Sequence, residues 1–70
     1  MEKEKTRQEI INWMMDRFTL LNKREQQILK LRFGMEEDRI YTQKEVGERF
    51  GISRQRVQQI EKRALVKIGL

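Results

Sequence analysis

The side chains of this chain best equipped for specific chemistry make hydrogen bonds rather than covalent ones. Near the C-terminus, Arg54, Gln55, Gln58, Gln59 and Lys62 recur at short helical spacings. On a helix turning about 100° per residue, Gln55, Gln58, Gln59 and Lys62 share one side, with Arg54 in the first turn. Arginine can donate bidentately to guanine, and glutamine can pair with both edge groups of adenine. These side chains could therefore read base edges in a DNA major groove. A polar face turned to solvent is the plainer alternative. Arg56, Arg63 and Lys67 fall along one flank, suited to phosphates, which position a helix without reading sequence.

Other chemistries lack their residues. The 70 residues contain no histidine and no cysteine, which excludes disulfides and zinc sites of the Cys/His kind. The single serine and the scattered threonines have no base to activate them, and no glycine-rich phosphate loop is present. Glu36, Glu37 and Asp38 form an acidic run, but nothing completes a metal or acid/base site around them, so they read as a solvated loop. No catalytic residue, metal or cofactor is expected.

Helices must position these side chains. Proline is absent and Leu, Ile, Lys, Glu, Gln and Arg abound, so propensity favours an all-α chain. Its length allows one small domain, residues 1–70, with a modest core. Residues 1–6 are expected to be frayed. Over about 7–21, Ile10, Ile11, Met14, Phe18 and Leu21 form an apolar helical stripe with Trp13 and Met15 beside it. These large residues suit a core, and their surplus suits a partner surface. Asn22 and Glu25 have capping-box spacing and open a second helix, which carries Ile28, Leu29, Leu31 and Phe33 and stops at Gly34. Residues 34–41 read as a connector. Thr42 and Glu45 form another capping box, opening a third helix that holds Val46 and Phe50 and ends at Gly51. Ser53 is a natural N-cap for a last helix, from Arg54 to about Ile68. The expectation is a compact four-helix domain.

From Gln43 to Ile60 the demands of a helix-turn-helix are met in order. Val46 supplies an apolar residue and Gly47 a very small one, which lets the second helix cross closely. Gly51 tolerates positive φ in the turn, and Ile52 is an apolar plug behind it. Val57 and Ile60 pin the second helix, and the period continues to Ala64 and Ile68 on one buried face. A generic helical hairpin would not need the small residue, the glycine and the plug together.

The net charge of +5 is unevenly spread. From residue 42 onward, Lys44, Arg49, Arg54, Arg56, Lys62, Arg63 and Lys67 face only Glu45, Glu48 and Glu61. That gradient suits a polyanionic partner, although a charged segment can also be simply solvated. Apolar runs are too short for a membrane span of about 20 residues, and the first residues lack the apolar stretch of a signal peptide. A soluble, cytoplasmic protein at the nucleoid is expected, without membrane partners.

Leu29 to Gly34, Thr42 to Gly47 and Ser53 to Leu65 closely resemble region 4 of bacterial sigma factors, the primary type above all. The resemblance spans nearly all of Leu21 to Ile68. It implies a domain that binds double-stranded promoter DNA at the −35 element while its N-terminal half, residues 7–33, grips the flap of the RNA polymerase β subunit. Carried over by position, Arg54, Gln55 and Gln59 would face bases, joined by Gln58 and Lys62 on the same side. Arg24, Arg32, Thr42, Gln43, Lys44, Arg56 and Arg63 would lie near phosphates. Ile11, Met14, Phe18, Leu21 and Ile28 would contribute to flap docking, and an anti-sigma factor or activator could use the same half. Gln55 stands where the primary type usually has glutamate, and Gln58 where it usually has arginine. Glutamate accepts from cytosine whereas glutamine prefers adenine, so the family's consensus hexamer does not carry over.

Nothing in these residues supplies the upstream sigma domain that melts the −10 element. An excised domain and a short stand-alone regulator of phage or bacterial origin, acting mainly through protein contacts, are both open. An unrelated dimeric repressor would also use a helix-turn-helix. Four helices leave no obvious dimerisation element, and a monomer is expected.

Overall fold

The computed structural model describes residues 6–70. Helix α1 spans Arg7–Asp16, a single 3₁₀ turn covers Phe18–Leu20, and α2 spans Lys23–Arg32. Helices α3 (Gln43–Phe50) and α4 (Arg54–Lys67) complete an all-α domain with no strand among the described residues. Most of the frayed start expected over 1–6 lies outside the described residues. Thr6 is the N-cap of α1, its hydroxyl accepting from the Glu9 amide.

The first helix is shorter than its apolar stripe suggests. At Arg17 the backbone leaves the helical region (φ −100°, ψ 2°), and the chain tightens into the 3₁₀ turn. The carbonyls this break leaves free need partners. Arg17 supplies them, its amide donating to the Met14 carbonyl (3.0 Å) and its guanidinium to the Trp13 carbonyl (3.3 Å), while Gln26 Nε2 donates to the carbonyls of Phe18 (2.8 Å) and Leu21 (3.1 Å) around the 3₁₀ turn. The tighter turn lets Phe18 and Leu21 both point inward. Ile10, at the edge of the stripe, stays outside at 43% exposure.

Both capping boxes form. The Asn22 and Glu25 amides each donate to the other's side chain at 2.9 and 2.8 Å, and Thr42 and Glu45 do the same at 2.9 and 3.1 Å. Each satisfies two amide donors that a helix start leaves unpaired. Helix α2 ends through Gly34 at φ +64°, where the Met35 amide reaches back to the Lys30 carbonyl (2.9 Å).

The acidic run of the connector is solvent-exposed, as expected, and the connector is anchored to the fold at Tyr41. The Tyr41 amide donates to the Leu31 carbonyl (3.0 Å), and the Tyr41 ring is buried among core residues. Its hydroxyl donates to Glu37 (2.5 Å) and accepts from Arg49 (3.0 Å). Glu36 pairs with Lys30 at 2.9 Å at the surface, and Glu36, Glu37 and Asp38 are all exposed.

The core has two parts joined by α2 and α4. One gathers Met14, Phe18, Leu21, Leu29, Ala64 and Ile68; the other gathers Ile28, Leu31, Tyr41, Val46 and Val57. Val57, Ala64 and Ile68 give α4 its buried face, as the period predicts, with Ile60 half-buried beside them. Ion pairing reinforces this spine. The Glu25 carboxylate, only 3% exposed, receives Lys67 Nζ at 3.0 and 2.9 Å, fastening the start of α2 to the end of α4. Lys67 is thus taken from the phosphate-facing flank on which its spacing places it.

Burial alone would push the Glu25 carboxyl up. The hydrogen bond from Lys67, that from the Asn22 amide, and the charges of Lys67 and Arg63 outweigh it, holding the group below its ordinary 4.5. A carboxyl lowered by folding stabilises the protein above its unfolded pKa, and that contribution is lost as pH falls through the folded one. The Tyr41 hydrogen bond to Glu37 and the Thr42 amide bond to Glu45 lower those carboxyls too, adding stability in the same direction. Melting temperature should therefore be flat above about pH 5 and fall progressively below it. Lys67→Met should cost about 1–3 kcal/mol near neutral pH and flatten the acid limb without abolishing it. An acid limb of unchanged slope in the variant would remove this pair as its source.

Gly47 tests the helix-turn-helix directly. A Cβ built there would lie 2.6 Å from the Ile52 carbonyl oxygen, a backbone atom that can yield only by moving the turn. Gly47→Ala gains about 1 kcal/mol of helix propensity. It is nonetheless expected to lose about 1–3 kcal/mol net in urea denaturation, from forced backbone displacement. Unchanged or increased stability would mean that the turn does not depend on this approach.

Candidate nucleic-acid interface

The turn between α3 and α4 aims the second helix. Gly51 exits α3 at φ +69°, and the Ile52 amide returns to the Gly47 carbonyl at 2.9 Å. Ile52 then packs half-buried against Val46 and Val57 as the plug. The Ser53 hydroxyl caps α4 by accepting from the Arg56 amide at 3.0 Å, so α4 begins with Arg54 and Gln55 in its first turn.

With Val57, Ala64 and Ile68 buried, the opposite side of α4 faces out. Arg54, Gln55, Gln58, Gln59 and Lys62 are all exposed there. Arg56 donates to Gln59 Oε1 at 3.3 Å, which partly orients that amide. This side carries five hydrogen-bonding side chains within about two and a half helical turns, on a helix capped by Ser53.

The residues expected near phosphates separate into groups. Arg24, Arg56 and Arg63 line one shallow cleft between the start of α2 and α4. The Arg24 guanidinium lies over the Phe50 ring, 4.5 Å from its centre, a stacking that restrains it on this side. Gln43 lies in a second cleft with Gln58 and Lys62, on the other flank of α4. Thr42 and Lys44 are exposed in and before the first turn of α3. Arg32 stands apart. It is half-buried, donating to Glu61 at 2.6 Å and to the Tyr41 carbonyl at 2.7 Å, so its charge is engaged inside the fold.

The apolar residues expected to dock a partner are interior. Ile11, Met14, Phe18, Leu21 and Ile28 are all buried, Met14 and Ile28 completely, because so short a chain needs them for its core. The apolar side chains left outside are Ile10, Met15 and Leu20 on the N-terminal half and Ile40 on the connector. Ile10 and Ile40 border a shallow cleft with Arg7, Ile11 and Phe33. Arg7 is held there by donating to the Phe33 carbonyl at 2.8 Å, at the end of α2.

Glu61, which joins α4 to α2 and approaches α3, had no sequence signal. It is the only acidic residue of α4, and its side chain, 14% exposed, is covered by Arg32 and faces Gln43 Nε2 at 3.5 Å. Its partners lie 29 and 18 residues away, a separation no local pattern encodes. Arg32→Ala should therefore cost about 1.5–3 kcal/mol of folding stability, the range for a hydrogen bond to a charged group. Arg54→Ala, at an exposed position, should stay within about 0.5 kcal/mol of the parent. Chemical denaturation of the two variants checks the division; equal losses would contradict it.

The family described as sigma-70, region 4 matches residues 19–68. The chain is 48% identical over 48 residues to "RNA polymerase sigma factor SigA4" of Synechococcus elongatus, covering 69% of this chain and 15% of that protein. It is likewise 48% identical over 48 residues to "RNA polymerase sigma factor SigA" of a Bacillus species, covering 13% of it. It is 50% identical over 48 residues to "RNA polymerase sigma factor sigB" of Arabidopsis thaliana, covering 8% of it. The chain thus spans only a small part of the length of these relatives. The matched stretch runs from the 3₁₀ turn through the end of α4 and includes every element that builds the exposed face, so this chain belongs to the sigma-70 region 4 family.

Proposed function

We propose that this chain is a promoter-reading domain of transcription initiation, which lays α4 in the major groove of a −35 element while its N-terminal half holds RNA polymerase. The observation that carries the reading is the outward face of α4. Five polar or basic side chains are exposed there, away from the buried Val57, Ala64 and Ile68, on a helix that follows a glycine turn. Arg54, Gln55, Gln58, Gln59 and Lys62 contact base edges in this reading. Arg24, Arg56 and Arg63 bind phosphates on one flank, and Thr42, Gln43 and Lys44 bind them on the other.

The polymerase side falls on the exposed apolar residues of the N-terminal half rather than on the core. Ile10 and Ile40, which border one cleft, form the surface that receives the β flap, and an anti-sigma factor or activator competes for it. The same surface supports a second reading, a stand-alone regulator that acts mainly by protein contact. The domain works as a monomer at the nucleoid and performs no catalytic step.

Gel-shift titration with a −35 duplex over a range of salt tests the proposal. Log affinity should fall with log salt by about 0.9 per phosphate neutralised. Arg56→Ala should reduce that slope by about 1, whereas Arg54→Ala should cost about 1–3 kcal/mol through lost base contacts. Arg54→Ala should leave flap pull-down intact, and Ile10→Asp combined with Ile40→Asp should abolish it. Salt-independent binding, or binding indifferent to Arg54, would sink the DNA reading. Flap binding that survives the Asp substitutions would sink the assignment of that surface.

A further inference from the structure

The chemistry left exposed on α4 selects among base pairs, and this inference rests on the major-groove reading above. A carboxylate accepts hydrogen bonds only, and is the side chain suited to the cytosine N4 amino group. Glu61 is the only carboxylate on α4, and it is withdrawn: Arg32 covers it at 2.6 Å and Gln43 approaches it at 3.5 Å. The outward face therefore has no acceptor-only group to offer a base. It has primary amides instead. Gln55 and Gln58 are exposed one turn apart, and each carries a donor and an acceptor on one planar group. That pair of groups matches N7 and N6 of adenine simultaneously.

Gln59 differs from them. Its carbonyl oxygen accepts from Arg56 at 3.3 Å, so its amide orientation is shared with a neighbouring side chain. Arg54 adds a guanine fork in the first turn beside Gln55. We infer that Gln55 and Gln58 make this domain an adenine reader, choosing duplexes with a guanine contacted by Arg54 next to adenines contacted by the two glutamines.

Selection from a duplex pool randomised over eight base pairs, followed by affinity measurement on single-substituted duplexes at fixed salt, tests this. The parent should enrich adenine at two positions on one strand, each preferred over the other bases by about 5- to 100-fold. Gln55→Glu should move the preference at one of those positions from adenine to cytosine and leave the other unchanged; Gln58→Glu should do the converse. Gln55→Ala should flatten the first position. An unchanged helical circular dichroism spectrum confirms that each variant folds, and an acid in the first turn of α4 favours the helix. Salt-dependent binding without adenine enrichment, or enrichment unaffected by Gln55→Glu, overturns the adenine assignment while leaving groove binding intact. Failure of every duplex in the pool to bind overturns the groove reading and this inference together.

Discussion

The closeness of Gly47 to the turn behind it sets the geometry of everything functional in this domain. The Ile52 carbonyl oxygen occupies space that any side chain at position 47 would need, with the Arg54 amide nitrogen 3.5 Å from the same point. Because the first residue of α4 is pressed against the middle of α3, the crossing of the two helices is fixed by backbone atoms rather than by adaptable side chains. Val46, Ile52 and Val57 then fill the angle between them. The direction in which Gln55, Gln58 and Lys62 leave the protein follows from that crossing. A helix that reads bases must hold its side chains to within a fraction of an ångström, and a backbone-to-backbone stop provides such rigidity.

Charge follows from the same packing. Two acids near α4 are spent inside the fold, Glu61 on Arg32 and Glu25 on Lys67, and Glu45 pairs with Arg39 at the surface. Glu37 is held by Tyr41 and Arg49 on the connector. Arg54, Arg56, Lys62 and Arg63 remain exposed on α4 with no acidic residue of that helix exposed beside them. The positive face is thus stronger than the overall net charge of +5 suggests, and such a field speeds and orients the approach of a polyanion. Arg32 and Lys67 show why basic residues cannot all be counted toward that field, since their charges hold the connector and the ends of α2 and α4 in place.

The parts of this fold legible in the sequence are those encoded locally. The capping boxes at Asn22 and Thr42, the Ser53 cap, the glycine exits at Gly34 and Gly51, and the buried face of α4 each depend on residues within a few positions of one another. The less legible parts depend on distant partners. Periodicity identifies an apolar stripe on residues 7–21 but not which edge of it meets the core: Ile10 lies outside, while Phe18, beyond the break at Arg17, is buried. Glu25 is readable as a capping residue, yet its burial under Lys67 joins positions 42 apart. Tyr41 follows three acids and an arginine in a stretch without helical period, and it is interior because its amide completes the end of α2. For the same reason the residues expected to meet a partner became the core, leaving a smaller apolar surface of Ile10, Met15, Leu20 and Ile40 outside it.

The central claim is that α4, and not the apolar N-terminal half, meets DNA. Titrating the folded chain with a −35 duplex while following each backbone amide by two-dimensional nuclear magnetic resonance tests it most directly. The account predicts shifts concentrated from Ser53 to Lys62 and at the starts of α2 and α3, with the amides around Ile10 and Leu20 unmoved. Shifts confined to α1 and the connector, with α4 silent, would contradict it.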